Sequence, residues 1–190
     1  MSRQLFFFDQ PRRFVVGTVG QPGERVFFLQ AVDQGRVVSV ALEKSQVSVL
    51  AERLEQLLDE VSSRDGFEFP DAVSPDTEPL ESPIDEEFRV AAMGLAYDSE
   101  TGLIVIEAQA PGESAEEAES TLLEETDEGP DALRVRLAHQ AAAEFIERAR
   151  RVISAGRPPC PLCNQPLDPA GHVCPRSNGY RRSVRLGSGD

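Results

Sequence analysis

Arg36-Val37-Val38-Ser39-Val40-Ala41-Leu42 is a strand, and the residues that follow it change period. Up to Leu42 the run is β-branched and apolar, bounded at its start by the turn residues Asp33-Gln34-Gly35. From Glu43 to Ser62 the apolar residues Val47, Leu50, Ala51, Leu54, Leu57, Leu58 and Val61 recur three and four apart. That spacing puts them on one face of a helix. A strand that runs directly into an amphipathic helix needs a sheet for the helix to cover. Upstream, Leu5–Asp9, Arg13–Val19 and Arg25–Val32 read as three more strands, separated by turn residues such as Gly20-Gln21-Pro22-Gly23. The first unit is thus a four-stranded meander and a helix.

The same junction returns 95 residues later. Val135-Arg136-Leu137 echoes Val40-Ala41-Leu42, and Glu147-Arg148 echoes Glu52-Arg53. Strands are expected over Phe88–Tyr97, Leu103–Ala108 and Ala132–Leu137. A helix over Ala138–Ser154 follows, with Ala142, Phe145, Ile146, Ala149, Val152 and Ile153 on its apolar face. The expectation is an α+β fold of two β-meander-plus-helix units, ββββα then βββα, with antiparallel sheet covered by two helices and a short C-terminal zinc knuckle. The pattern leaves open whether the halves are a true duplication. The divisions fall at 1–64 for the first unit, 65–86 for an acidic Pro-rich linker, 87–156 for the second unit with an acidic loop at 111–129, and 157–190 for the knuckle and a basic tail.

Charge is polarised along the chain. The formal net charge of the 190 residues is −14, yet residues 65–88 hold nine acidic residues and no basic one, and residues 111–129 hold eight and none. From Arg148 onward eight arginines face Asp168 and Asp190 alone. Carboxylates scattered among Pro and Ser read as solvated linker. Leu5-Phe6-Phe7-Phe8, ended by Asp9, is far shorter than the apolar core of a signal peptide, and no apolar run approaches the ~18 residues that span a bilayer. With reduced thiols, this points to a cytoplasmic protein with no membrane partner.

The sharpest chemical signal lies near the end. Cys160-Pro161-Leu162-Cys163 and Gly171-His172-Val173-Cys174 use every cysteine of the chain and one of its two histidines. Cys160, Cys163, His172 and Cys174 make a Cys₃His set for one tetrahedral metal. Three thiols cannot all pair as disulfides. Four protein ligands leave no position for water or substrate, so the site reads as structural Zn²⁺. Spacing alone does not separate zinc from iron, and zinc is the default in a knuckle.

No catalytic constellation accompanies it. His139 is the one histidine outside the ligand set, and its place at a helix start reads as an ordinary helix residue. Gly17-Thr18-Val19-Gly20 lacks the lysine and the helix start of a phosphate-binding loop. The reading is therefore no enzyme. A binding or adaptor protein with an unknown protein partner explains the acidic loops and the basic tail. The alternative is a single-stranded nucleic-acid binder. Phe6, Phe7, Phe8, Phe27 and Phe28 beside Arg3, Arg12, Arg13 and Arg25 would stack bases and hold phosphates. Arg176, Tyr180, Arg181, Arg182 and Arg185 in the tail would add nucleic-acid or partner contacts.

Through Phe14-Val15-Val16-Gly17-Thr18, Val40-Ala41-Leu42-Glu43-Lys44 and the ending from Cys160 to Cys174-Pro175-Arg176, the chain resembles an uncharacterised actinobacterial domain-of-unknown-function family. Asn178-Gly179-Tyr180 belongs to the same C-terminal signature. The resemblance implies a cytoplasmic bacterial setting and brings no activity. In architecture the two units are also similar to the PUR-alpha and Whirly type of single-strand nucleic-acid-binding repeat, which gives four strands and a helix twice.

Overall fold

The computed structural model describes residues 3–21, 23–66, 73–74, 76–114, 116, 120–124, 126–156, 160–163 and 174. Eight strands and two long helices form an α+β fold. In chain order they are β1 (Leu5–Asp9), β2 (Arg13–Val19), β3 (Val26–Asp33), β4 (Arg36–Leu42), α1 (Lys44–Asp65), β5 (Glu86–Arg89), β6 (Ala92–Asp98), β7 (Leu103–Gln109), β8 (Ala132–Leu137) and α2 (His139–Ser154). No helix among the described residues is long and apolar enough to cross a membrane.

The second unit has four strands, one more than the sequence reading gives it. The stretch taken as a single strand divides at Val90-Ala91. The Val90 N–H donates to the Ala41 carbonyl at 2.7 Å, and the next N–H, that of Ala91, donates to the Gln109 carbonyl at 2.8 Å. One peptide step therefore carries the chain from one sheet to the other. The two sheets have the orders β2-β3-β4-β5 and β1-β8-β7-β6. Each takes its last strand from the other unit: β5 runs parallel to β4, and β1 runs parallel to β8, with Leu5 opposite Ala132 and Asp9 opposite Arg136. The remaining neighbours are antiparallel. The fold is thus ββββα twice, with the first strand of each unit exchanged.

The inner faces of the sheets and the apolar stripes of the helices make one core. Phe14, Val16, Leu29 and Val40 come from the first sheet, and Phe6, Ile106, Leu133 and Val135 from the second. Leu54 and Leu58 come from α1, and Phe145 and Ala149 from α2. The helices pack on each other, α2 lies over β2, and α1 reaches β6. Phe14 and Phe145 stack with their ring centroids 5.0 Å apart. A β-rich inner face and a 3.6-period stripe bury the same kind of surface, which is why both periods are clean in the sequence.

The acidic segments are not solvated linkers throughout. Residues 76–85 lie over the outer face of the first sheet, and residues 120–124 and 126–128 over that of the second; we call them the first and second straps. Close approach requires glycine beneath each. A Cβ at Gly17 would stand 2.6 Å from Leu80 Cγ, and one at Gly94 would stand 2.8 Å from Leu122 Cγ. Buried polar side chains hold the straps. Gln30, fully buried on β3, accepts from the Glu81 N–H at 2.8 Å and donates to the Glu81 carbonyl at 3.0 Å and to Ser39 Oγ at 3.0 Å. One side-chain amide thus pairs with the strap backbone as a neighbouring strand would. At the matching place in the second sheet stands Glu107, held between Arg3 and Arg134. Those two arginines also donate to strap carbonyls: Arg3 Nη1 to Thr121 and Glu124 at 3.2 and 3.3 Å, and Arg134 Nη2 to Glu124 at 2.8 Å.

Candidate metal centre

Helix α2 ends at Ser154, and the chain reaches Cys160 six residues later. The helix end is fastened on the side of the first unit: Arg25 Nη1 donates to the Ala155 carbonyl at 2.8 Å. Residues 161–163 form a turn, which brings Cys163 back beside Cys160. Cys160 and Cys174 are buried, Cys163 is half-buried, and none of the three is in a disulfide among the described residues. Their sulfurs lie within 4.8 Å of one another. The Cys160 and Cys174 sulfurs are 3.8 Å apart. Thiolates bound at ~2.3 Å to one tetrahedral zinc stand about 3.8 Å apart, along the edge of the tetrahedron. The three cysteines therefore fit a shared metal ion in both donor type and spacing.

Local electrostatics favour thiolate at this site. The Cys160 pKa is lowered from 9.0 to about 6, first by the Leu162 backbone N–H and then by that of Cys163. Two N–H groups aimed at one sulfur stabilise its anion, the form that binds metal. His172, expected as the fourth ligand, lies outside the described residues, as do Arg176, Tyr180, Arg181, Arg182 and Arg185. Three of the four expected ligands are thus brought together.

The aromatic and basic residues considered for nucleic acid are distributed differently from a binding sheet. Phe6, Phe8 and Phe28 are buried, Phe27 packs against the core, and Phe7 is 42% exposed. Arg36 stands over the Phe6 and Phe8 rings, 5.7 and 4.8 Å from their centroids. Arg3 is buried against Glu107, and Arg13 is paired with Asp76. Arg12 is exposed and pairs with Glu81 at 2.7 Å. His139, the remaining histidine, stacks on Tyr97 with ring centroids 6.0 Å apart, and the Arg64 guanidinium stands over the same Tyr97 ring at 5.1 Å.

A second polar centre went unread in the sequence. Asp76, at the start of the first strap, receives Arg13 Nε at 2.5 Å, Arg13 Nη2 at 3.0 Å and Arg148 Nη1 at 2.7 Å on its carboxylate. Its carbonyl accepts from Arg148 at 2.8 Å and from Arg151. Arg148 Nε also donates to the Val16 carbonyl on β2 at 2.7 Å, which ties α2, β2 and the strap together. One signal was present: Arg148 falls inside the apolar stripe of α2, three residues after Phe145 and four before Val152, and a charge there needs a buried partner. Burial lowers the pKa of the Arg148 guanidinium, and the nearby Asp76 carboxylate opposes that shift.

This centre makes acid stability depend on Asp76. The Arg13 hydrogen bond is the largest cause that holds the Asp76 pKa below its ordinary 3.8, with the charges of Arg13 and Arg148 adding to it. A depressed carboxyl contributes stability above its ordinary pKa and loses it as pH falls through the folded value. Asp76→Asn is expected to lower the melting temperature at neutral pH. The gap to the parent protein should narrow as the pH drops below 3.8. Thermal scans of both proteins from pH 7 to pH 2.5 read this directly, and a gap independent of pH would remove Asp76 from the acid transition.

Among known proteins, residues 6–174 match the family described as "Protein of unknown function (DUF3090)". The match ends on the third of the clustered thiols. No curated protein and no solved structure matches the chain.

Proposed function

This chain belongs to the DUF3090 family of proteins of unknown function, and from that premise we propose that it is a non-enzymatic cytoplasmic binding or adaptor protein with one structural zinc. The observation that carries the reading is the gathering of Cys160, Cys163 and Cys174 at metal-ligand spacing. His172 completes the set, so that the ion has four protein ligands and keeps none for a substrate. When bound, zinc supplies folding energy to a segment too short to bury a core of its own. The chain's own residues do the rest. Cys160 and Cys174 are buried as donors, and Arg25 fastens the helix end from which the segment departs.

The charged side chains of the fold support a binding role over chemistry. Arg3 and Arg134 pair with Glu107, Arg13 and Arg148 pair with Asp76, and each set pins a strap. The basic residues after Cys174 remain as the natural contacts to a partner. Arg176, Tyr180, Arg181, Arg182 and Arg185 would dock an acidic protein surface. Immobilised zinc-loaded protein should retain a defined partner identified by mass spectrometry. The same bait stripped with chelator, or carrying Arg181→Ala and Arg182→Ala, should lose it. Equal capture by all three baits would rule the tail out as the binding element.

The second reading, single-strand nucleic-acid binding, draws on the repeated ββββα order alone. Fluorescence anisotropy with short single-stranded DNA and RNA separates the two. Micromolar binding that weakens steeply with salt would put nucleic acid first. No binding at low salt would leave the protein partner.

A further inference from the structure

On the far side of the first strap from Arg12 lies an open cavity of about 450 Å³, walled by β2, the strap and the C-terminal half of α2. Two arginines and three hydroxyl side chains line it: Arg148 and Arg151 from the helix, Thr18 from β2, and Thr77 and Ser82 from the strap. We propose that this cavity is a binding site for a phosphate group, free or as a small phosphomonoester. The proposal does not rest on the metal centre or on the adaptor reading.

The donors of this wall are held in place but not used up. Arg148 donates Nε to the Val16 carbonyl and Nη1 to Asp76. Its Nη2 donates no bond among the described residues. Arg151 donates Nη2 to the Asp76 carbonyl, and its Nε and Nη1 are likewise unused among the described residues. Among the described residues the hydroxyls of Thr18, Thr77 and Ser82 make no bond either. Guanidinium forks beside hydroxyl donors match the tetrahedral oxygens of phosphate, which accepts several charge-assisted bonds at once. Asp76 acts as a positioning residue. It grips both arginines from behind and fixes the direction of their remaining N–H groups.

Charge agrees with this assignment. Arg13 and Arg148 share the carboxylate of Asp76 and Arg151 holds its backbone carbonyl, so three guanidinium groups meet one carboxylate and the cluster keeps a net positive charge. Glu78 is the one acid on the cavity lining, and it is exposed. The volume exceeds what the ion alone requires and falls within the range of small-molecule sites, which leaves room for the organic part of a monoester.

The test is a titration of the full chain with inorganic phosphate and, separately, phenyl phosphate, followed by amide NMR shifts. Both ligands are expected to move the amides of Gly17, Thr18 and Thr77. Arg151→Gln should weaken binding at least about tenfold, since a charge-assisted hydrogen bond is lost. Arg151→Lys should recover part of it, and Glu78→Gln should tighten it. Tighter binding of phenyl phosphate points to a phosphorylated small molecule, and equal binding to the free ion. Shifts confined to other regions, or an Arg151→Gln protein that binds as tightly as the parent at an unchanged melting temperature, would overturn the proposal.

Discussion

Cys160→Ser is expected to reduce bound zinc from about one equivalent per chain to near zero after dialysis. The Cys160 thiol, with a pKa of about 6, is largely anionic at neutral pH and stands 3.8 Å from its neighbour Cys174. A serine hydroxyl keeps its proton there and offers a harder, neutral oxygen, which suits zinc poorly against thiolate competition. The two backbone N–H groups that stabilise the sulfur would then face no anion. Because metal binding and folding of such a segment are one equilibrium, losing the ligand should also unfold it. Metal analysis measures the first effect. Limited proteolysis C-terminal to α2 measures the second, with cleavage in the variant at protease levels the parent withstands. Retained stoichiometric zinc in Cys160→Ser would take Cys160 out of the ligand set.

Glu107→Ala should be the most destabilising single change in the body of the fold. Glu107 is fully buried, receives Arg134 Nε at 2.5 Å, Gln109 Nε2 at 2.9 Å and the Arg3 guanidinium, and has no access to water. Deleting it leaves two buried cations facing each other. Breaking a buried ion set from one side costs about 3–5 kcal/mol, equivalent to a fall of roughly 6–20 °C in melting temperature for a domain of this size. The second strap should loosen with it, because the same arginines hold the Thr121 and Glu124 carbonyls. Calorimetry of Glu107→Ala gives the magnitude. The combined Arg3→Met, Glu107→Leu, Arg134→Met protein gives the control: with no stranded charge, it should recover much of the loss. A single variant as stable as the parent would show that water reaches the triad.

Much of this architecture could be read from local pattern. β1, β2, β4 and β8 have the bounds their alternation and turns predict, because each is a short alternating run with Gly, Asp or Gln at one end. Helices α1 and α2 follow from their stripes. The division between β5 and β6 could not be read. Phe88, Val90 and Ala92 keep the same alternation across it, with no Gly or Pro to mark a break, so the switch of sheet is decided by which distant strand each half meets. The straps were hidden for a similar reason. Composition counts nearby charge, whereas Asp76 is neutralised by Arg13 and Arg148 from far along the chain. A finer signal did exist in Leu80 and in Leu122-Leu123, apolar residues inside acidic stretches that had to bury somewhere. At the metal centre, the three cysteines were legible because ligand spacing is itself a local property.

The exchanged strands set a clock on biosynthesis. Leu5–Asp9 leaves the ribosome well before its partner β8, which includes Ala132 and is made roughly 6–25 s later at bacterial-to-eukaryotic elongation rates. During that interval Phe6 and Phe8, later buried, have no sheet to enter, and the first sheet still lacks β5. A nascent chain in this state exposes an apolar, β-prone segment that invites pairing with other chains. Holdase chaperones that cover such segments should therefore engage the emerging polypeptide at Leu5–Asp9, and their removal should lower soluble yield without changing the stability of the protein that does fold.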